Sequence, residues 1–223
     1  DSDTEVVLPA YVEWGEQAFS RFNGMWALAI LDQRRARVVL SRDRFGEKPL
    51  YTHVGADGIY FASEIKAICV GAATKFRVHL PAVGRFLSQA VLDAQPESFF
   101  EGIVQLPAGS VAVISLDGET PALQRAEPYW QLRLDPLRLS DAEAVARTRE
   151  LFDDAIRLRL RSDVPVGVLL SGGLDSSSIA AAVRRQQPAG RIMFITAVSD
   201  VLEFNEEPYA EMVSRHLGTD LHK

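Results

Sequence analysis

Four shortages narrow what this 223-residue chain can be. It holds one cysteine, Cys69, so it forms no internal disulfide, and that fits a reducing compartment such as the cytoplasm. Histidine is scarce: His53, His79, His216 and His222 are scattered, and with a lone cysteine they make no zinc-type spacing. Positive charge is in deficit, 24 Lys and Arg against 30 Asp and Glu, for a net charge of −6. No basic run appears either, which argues against a nucleic-acid surface. Long apolar runs are missing as well. None approaches the ~18 residues that span a bilayer, and no charged-then-apolar leader opens the chain, so no membrane partner is expected. There is also no initiating Met. The chain opens on Asp1-Ser2-Asp3 and stops at Lys223, shortly after a helix that should feed another strand, so both ends read as cut.

What is present is a hydrophobic content of 47%, enough for a packed core, and one stretch around which the rest is organised. Val164 to Ala182 reads VPVGVLLSGGLDSSSIAAA. Its first half is short, apolar and β-branched, the composition of a strand buried on both faces of a parallel sheet. Ser171-Gly172-Gly173-Leu174-Asp175-Ser176-Ser177 follows, and then a helix-forming run. A strand, glycine-serine turn and helix in that order point backbone N–H groups and the positive end of the helix dipole into one concavity, which favours phosphate. The glycines allow a sharp turn and a close approach. Asp175 would repel phosphate unless Mg²⁺ lies between them. This is neither a Walker A loop nor GxGxxG. It resembles the pyrophosphate-binding loop of PP-loop ATP pyrophosphatases, which cleave ATP between the α- and β-phosphates.

The chain changes style along its length. Ser2-Asp3-Thr4-Glu5 has capping-box spacing, with Pro9 set to kink or delay the helix behind it. Strands are predicted at Met25 to Asp32 and Arg37 to Asp43, and a hairpin from Leu50 to Ala62. A helical turn is predicted near Glu64, a helix at Pro81 to Leu92, and a last hairpin from Val111 towards Trp130. From Ser140 the pattern alternates. A capped helix runs to about Arg161, then come strand 164–170, helix 175–187, strand 191–197 and helix 206–217, with Gly218 as C-cap. Alternation means a parallel α/β sheet. The reading is two domains, residues 1–134 and 135–223.

Further motifs come in order: Phe22-Asn23-Gly24-Met25-Trp26-Ala27, Arg42-Asp43-Arg44-Phe45-Gly46-Glu47-Lys48-Pro49-Leu50-Tyr51, and Phe61-Ala62-Ser63-Glu64-Ile65-Lys66. Leu106-Pro107-Ala108-Gly109, Tyr129-Trp130 and Ser162-Asp163-Val164-Pro165 follow them. With the SGGLDSS loop they resemble glutamine-hydrolysing asparagine synthetases. The resemblance implies an α/β chain: the C-terminal part of an N-terminal-nucleophile αββα glutaminase, then the start of a parallel-sheet, Rossmann-like PP-loop synthetase. It implies glutamine, aspartate and ATP as partners and ATP with Mg²⁺ as cofactors, and it leaves a homodimer open. The family's nucleophile is a terminal cysteine activated by its own amine. Cys69 is internal and reads as a buried structural thiol, so these residues alone are expected to be inactive.

Residue by residue, Asp3 matches the aspartate of the family's G-S-D motif, which binds the α-ammonium of glutamine, although Asp1 stands where the family has glycine. Ser171, Gly172, Gly173, Asp175, Ser176 and Ser177 match the phosphate loop, with Asp175 on the metal. Leu169 matches a backbone contact to adenine, and Thr196 another nucleotide contact. Met25 reads as a core residue, or else as part of an ammonia passage. Arg42, Asp43, Arg44 and Lys48 read as a solvated turn or an ion-pair network that fixes their loop. Two alternatives stay open: a relative that adenylates another carboxylate, such as a β-lactam synthetase-like or peptide-cyclising enzyme, and a non-catalytic nucleotide-binding or scaffold protein.

Overall fold

The structure, a computed structural model, describes residues 3–91, 95–118, 120–188 and 192–223. It divides into two compact units, Asp1–Leu134 and Asp135–Lys223.

The first unit begins with a 3₁₀ turn, Asp3–Val6, that passes into α1 (Val7–Trp14). Ser2, the head of the expected capping box, lies outside the described residues. Pro9 accounts for the delayed start. It is the third residue of α1, where its missing N–H falls among amides that no helical carbonyl reaches. A second short helix, α2 (Ala18–Arg21), leads to β1 (Ala27–Asp32) and β2 (Arg37–Arg42). The β1–β2 turn is closed by Asp32, whose Oδ1 accepts the Arg35 N–H at 3.2 Å. Next come β3 (Tyr51–Val54), β4 (Ile59–Ala62), α3 (Ile65–Gly71) and α4 (Leu80–Gln89). The predicted helix end at Leu92 lies outside the described residues. β5 (Ile103–Gln105), β6 (Ser110–Ser115), β7 (Ala122–Leu123) and β8 (Glu127–Pro128) complete the unit. The return arm of the expected last hairpin is thus broken into two short pieces, and both pair with β6.

These strands form two antiparallel sheets. One runs β1-β2-β6-β7, with β8 also on β6, and the other runs β4-β3-β5. Alternation along β2 and β6 sends side chains to two cores. Val39 and Val111 join Tyr11, Phe19 and Ile30 on the side of α1 and α2. Leu40, Ala112 and Ile114 join Leu50 and Leu106 on the other. β2 is therefore buried on both faces, so its sequence, RVVLSR, does not alternate. A polar tie pins α1 to this sheet. The Tyr11 hydroxyl donates to Asp32 Oδ2 at 2.9 Å and accepts from Arg37 Nη2 at 2.8 Å. Burial and the bond to Asp32 push the Tyr11 phenol above its ordinary pKa. Burial opposes the charge on Asp32, but the Tyr11 hydroxyl, the Arg35 amide and the Arg35 and Arg37 cations outweigh it and hold that carboxyl below the usual range.

The second unit is α/β. α5 (Asp141–Arg159) precedes β9 (Val166–Leu169), α6 (Leu174–Gln186), β10 (Ile192–Ile195), α7 (Glu207–Leu217) and β11 (Leu221–His222). The strands are parallel in the order β11-β10-β9, and Leu169 lies opposite Ile195. One core gathers Ile156 of α5, Val168 and Leu170 around β9, Ala180 and Val183 of α6, Phe194 of β10 and Ala210 of α7. Gly218 closes α7 in the left-handed conformation that only glycine adopts without cost.

Two expectations from the first unit need correction. Met25 is not a core residue but is 53% exposed, because it precedes β1 and escapes the pleat. Cys69 is only partly buried, since Ile68 takes the inward position of α3.

Candidate functional site

β9 delivers the chain to the edge of its sheet. Leu170, 2% exposed, anchors the exit, and its N–H donates to Ile195 O at 2.8 Å. The next residues turn on hydroxyls. Ser171 N–H donates to Ser176 Oγ at 3.3 Å, the two hydroxyls are 2.9 Å apart, and Gly173 N–H donates to Ser171 Oγ at 3.3 Å. Two of the amides expected to face a ligand are therefore occupied by the loop's own serines. The cradle is narrower than the sequence implied.

The amides beyond them are unspent. Ser177 N–H makes the first rung of α6, to Gly173 O at 3.0 Å. No side chain caps this helix, and the N–H groups of Leu174, Asp175 and Ser176 find no acceptor among the described residues. The neighbouring helices differ. α5 has a full capping box, with Ser140 N–H donating to Glu143 Oε2 at 2.8 Å and Glu143 N–H to Ser140 Oγ at 3.4 Å. In α7 the Glu207 N–H is taken by Asn205 Oδ1 at 3.1 Å, and Pro208 has none to offer. Uncapped N–H groups at the positive end of a dipole attract an anion. One more group is orphaned here: the Ser177 hydroxyl is closed off from solvent and has no partner among the described residues. Such a group costs about 1–3 kcal/mol while it stays unbonded.

Asp175 lies in the first turn of α6 with its side chain exposed. No three His, Cys, Asp or Glu side chains gather to hold a metal among the described residues. A Mg²⁺ ion there would rest on Asp175 together with phosphate oxygens, the arrangement this ion prefers. Unspent amides, an orphaned hydroxyl and one outward carboxylate fit a Mg²⁺-bound polyphosphate.

Thr196 follows β10 directly. The Leu169–Ile195 register puts it at the same sheet edge as Ser171, where open α/β sheets bind ligands. It is 4% exposed. Its N–H donates to His222 O at 2.9 Å, and among the described residues its hydroxyl reaches only Ala197 O, at 3.5 Å. Leu169 is 77% exposed at the end of β9. Asp3 belongs to the other unit, exposed in the 3₁₀ turn ahead of α1.

The loop after β2 has the loop-fixing role that was one reading of its charges, carried by side-chain bonds to backbone groups, while Glu47 and Lys48 stay exposed. Arg42 is 6% exposed and donates to three carbonyls: Lys48 O at 2.8 Å, Leu106 O at 2.8 Å and Gly46 O at 2.6 Å. Asp43, 1% exposed, accepts from four amides, those of Trp26 (3.2 Å), Phe45 (3.1 Å), Glu47 (3.0 Å) and Lys48 (3.0 Å). The Tyr129 hydroxyl donates to Arg42 O at 2.8 Å, and burial, then the Asp43 charge, drive its pKa well above the ordinary value.

Sequence reasoning also missed Tyr209 and Ala210, which lie against Gly172 of the SGGLDSS loop. No local signal marks that contact. Asn205 as a cap was legible in Asn205-Glu206-Glu207-Pro208, a polar residue shortly before a proline in the first turn.

Comparison with known proteins gives the family. Residues 1–130 match the family model described as a glutamine amidotransferase domain. Residues 147–223 match the one described as asparagine synthase. The chain belongs to the glutamine amidotransferase domain family, and the start of a synthetase domain follows that domain. More particularly, it is 32% identical over 235 residues to glutamine-hydrolysing asparagine synthetase 3 of Bacillus subtilis, an alignment covering 100% of this chain and 38% of that protein. A putative glutamine-hydrolysing asparagine synthetase 2 of Methanocaldococcus jannaschii is 30% identical over 99% of this chain and 42% of its own length. A Penicillium rubens protein named amidase chyE is 28% identical over 99% of this chain and 34% of its own length. The chain thus spans about two fifths or less of the length of these relatives. No helix among the described residues is long and apolar enough to cross a membrane.

Proposed function

We propose that this chain serves an ATP-dependent ligase that amidates aspartate to asparagine through β-aspartyl-AMP, with ammonia taken from glutamine. One observation carries the reading: the first turn of α6 leaves the amides of Leu174, Asp175 and Ser176 unspent beside an orphaned Ser177 hydroxyl. Those groups bind the β- and γ-phosphates and stabilise the charge that builds on the departing pyrophosphate. Asp175 would hold Mg²⁺, which would supply positive charge beside the phosphates. Leu169 and Thr196 border the nucleoside at the strand ends. Asp3 orients glutamine by pairing with its α-ammonium group. A cytoplasmic setting and a homodimer belong to the same reading.

A relative under a name other than asparagine synthetase, the one called an amidase, leaves room for a second reading, in which the same loop activates a carboxylate other than aspartate. Supplying aspartate or other carboxylates to the full chain with Mg-ATP and ammonia separates the two.

Asp175→Ala is expected to lower pyrophosphate release at least 100-fold, on the order of losing one preorganised charge contact, and to leave the thermal midpoint unchanged. Near-normal release sinks the metal role. Asp3→Ala is expected to impair glutamine-supported synthesis while ammonia-supported synthesis persists; equal loss of both makes Asp3 structural.

A further inference from the structure

Gly172 is confined by protein rather than by ligand. A Cβ at this position would lie 2.3 Å from Tyr209 Cβ, 2.6 Å from the Tyr209 carbonyl carbon and 2.8 Å from Ala210 N. Its φ of +80° is a second reason that only glycine serves. The obstructing atoms are the backbone and first side-chain carbon of α7, which cannot swing aside as the tip of a long side chain would. Ala210 is 0% exposed and packs with Val168, Leu170, Ala180 and Phe194. The first turn of α7 is therefore seated in the core on one side and touches the loop on the other.

We propose that this turn is a positioning element for the nucleotide loop, with Ala210 setting its depth and Tyr209 Cβ providing the surface on which Gly172 rests. The proposal builds on the reading of the α6 first turn as a diphosphate cradle. The size of Ala210 fixes how close α7 sits to the sheet. The α7 backbone fixes where Gly172 can lie. Gly172 in turn fixes the direction in which the following amides point. The backbone of the first turn of α7 has no N–H left for a ligand. Its Glu207 N–H goes to Asn205, and the Tyr209 and Ala210 N–H groups both go to Glu206 O at 3.1 Å. Its contribution is shape. Lys223 steadies its outer side, with Nζ 2.5 Å from Glu207 Oε1 and 2.6 Å from Glu211 Oε1.

The test measures ammonia-supported pyrophosphate release from Mg-ATP and aspartate in the full chain, with the thermal midpoint followed in parallel. Ala210→Val, which pushes α7 outward, is expected to raise the KM for ATP about tenfold with kcat within about threefold, and the near-isosteric Ala210→Ser to stay within twofold of the unmodified protein. Tyr209 is 62% exposed, so its variants spare the core. Tyr209→Ala keeps the Cβ and should hold the KM for ATP within twofold; Tyr209→Gly removes it and should raise the KM about threefold. The positioning role is overturned if Tyr209→Ala and Tyr209→Gly behave alike, or if folded Ala210→Val keeps its KM for ATP. Failure of the unmodified protein to release pyrophosphate with any carboxylate overturns the cradle reading itself, and this proposal with it.

Discussion

Asp43 and Asp175 each follow a strand, and a short glycine-containing turn lies beside each, yet their carboxylates are used in opposite ways. Asp43 turns inward and collects four amides, while Arg42 beside it satisfies three carbonyls. That carboxylate is spent on backbone amides, and among the described residues one side-chain donor of the loop, Arg44 Nε, is left buried without a partner. Asp175 turns outward, and the amides around it are left over. The difference shows what separates a structural loop from a receptive one. Glycine and acidic residues occur in both, so residue type does not distinguish them. The remaining donors do, because a buried or dipole-aligned N–H without a partner is a standing cost that a ligand removes.

The largest effect that tests this contrast is Asp43→Ala. It strands four amides in a partly buried loop, at about 1 kcal/mol or more each, so the first unit should lose about 4 kcal/mol. Urea unfolding of the full chain followed by tryptophan fluorescence reads it, since the Trp26 N–H bonds to Asp43 and the Trp130 ring lies 5.2 Å from that of Phe45. A loss under about 1 kcal/mol would mean the loop holds its shape without its carboxylate, and the contrast with Asp175 would dissolve.

Gly172→Ala comes next. The left-handed φ and the contacts with Tyr209 and Ala210 together predict about 2 kcal/mol of destabilisation, confined to the second unit, and loss of pyrophosphate release. An unchanged midpoint would show that the loop yields freely, which a preorganised cradle does not do.

Much of this was legible in the sequence, and the limits have physical causes. The strand, loop and helix at 164–187 were readable because the signal is local: a β-branched run, two glycines and a helix-forming tail. Burial on both faces, expected of the strand at 164–170, is not found, since within β9 only Val168 is buried, whereas β2, read simply as a strand, is the one covered on both sides. The role of Asp43 was not readable, because one of its donors comes from Trp26 across the β1–β2 hairpin and burial decides the rest. Arg42-Asp43-Arg44 looks like a solvated turn until its neighbours are placed. The grip of α7 on Gly172 joins residues 37 and 38 positions apart and leaves no trace in spacing. The capture of two loop amides by Ser171 and Ser176 was hidden for another reason. A serine hydroxyl serves equally well as a ligand donor and as an internal cap, and only geometry chooses between them.

The smallest expected effect sharpens the comparison between a closed and an open helix end within the second unit. α5 is closed by Glu143, whose carboxylate accepts from the Ser140 N–H at 2.8 Å and the Ser140 hydroxyl at 2.7 Å. Those bonds, the hydroxyl first, favour the charged form and hold Glu143 below the ordinary glutamate pKa. A carboxyl depressed on folding adds stability that is complete above its unfolded value, near 4.3, and is lost as pH falls through the lower folded value. The unfolded chain binds more protons in that window, so stability rises with pH across it. Glu143→Gln, which cannot ionise, is therefore expected to flatten the pH dependence of unfolding below about pH 5 and to change it little near pH 7. The same pH dependence in Glu143→Gln and the unmodified protein would mean that the Ser140–Glu143 box does not close α5, and the contrast with the uncapped α6 would lose its reference.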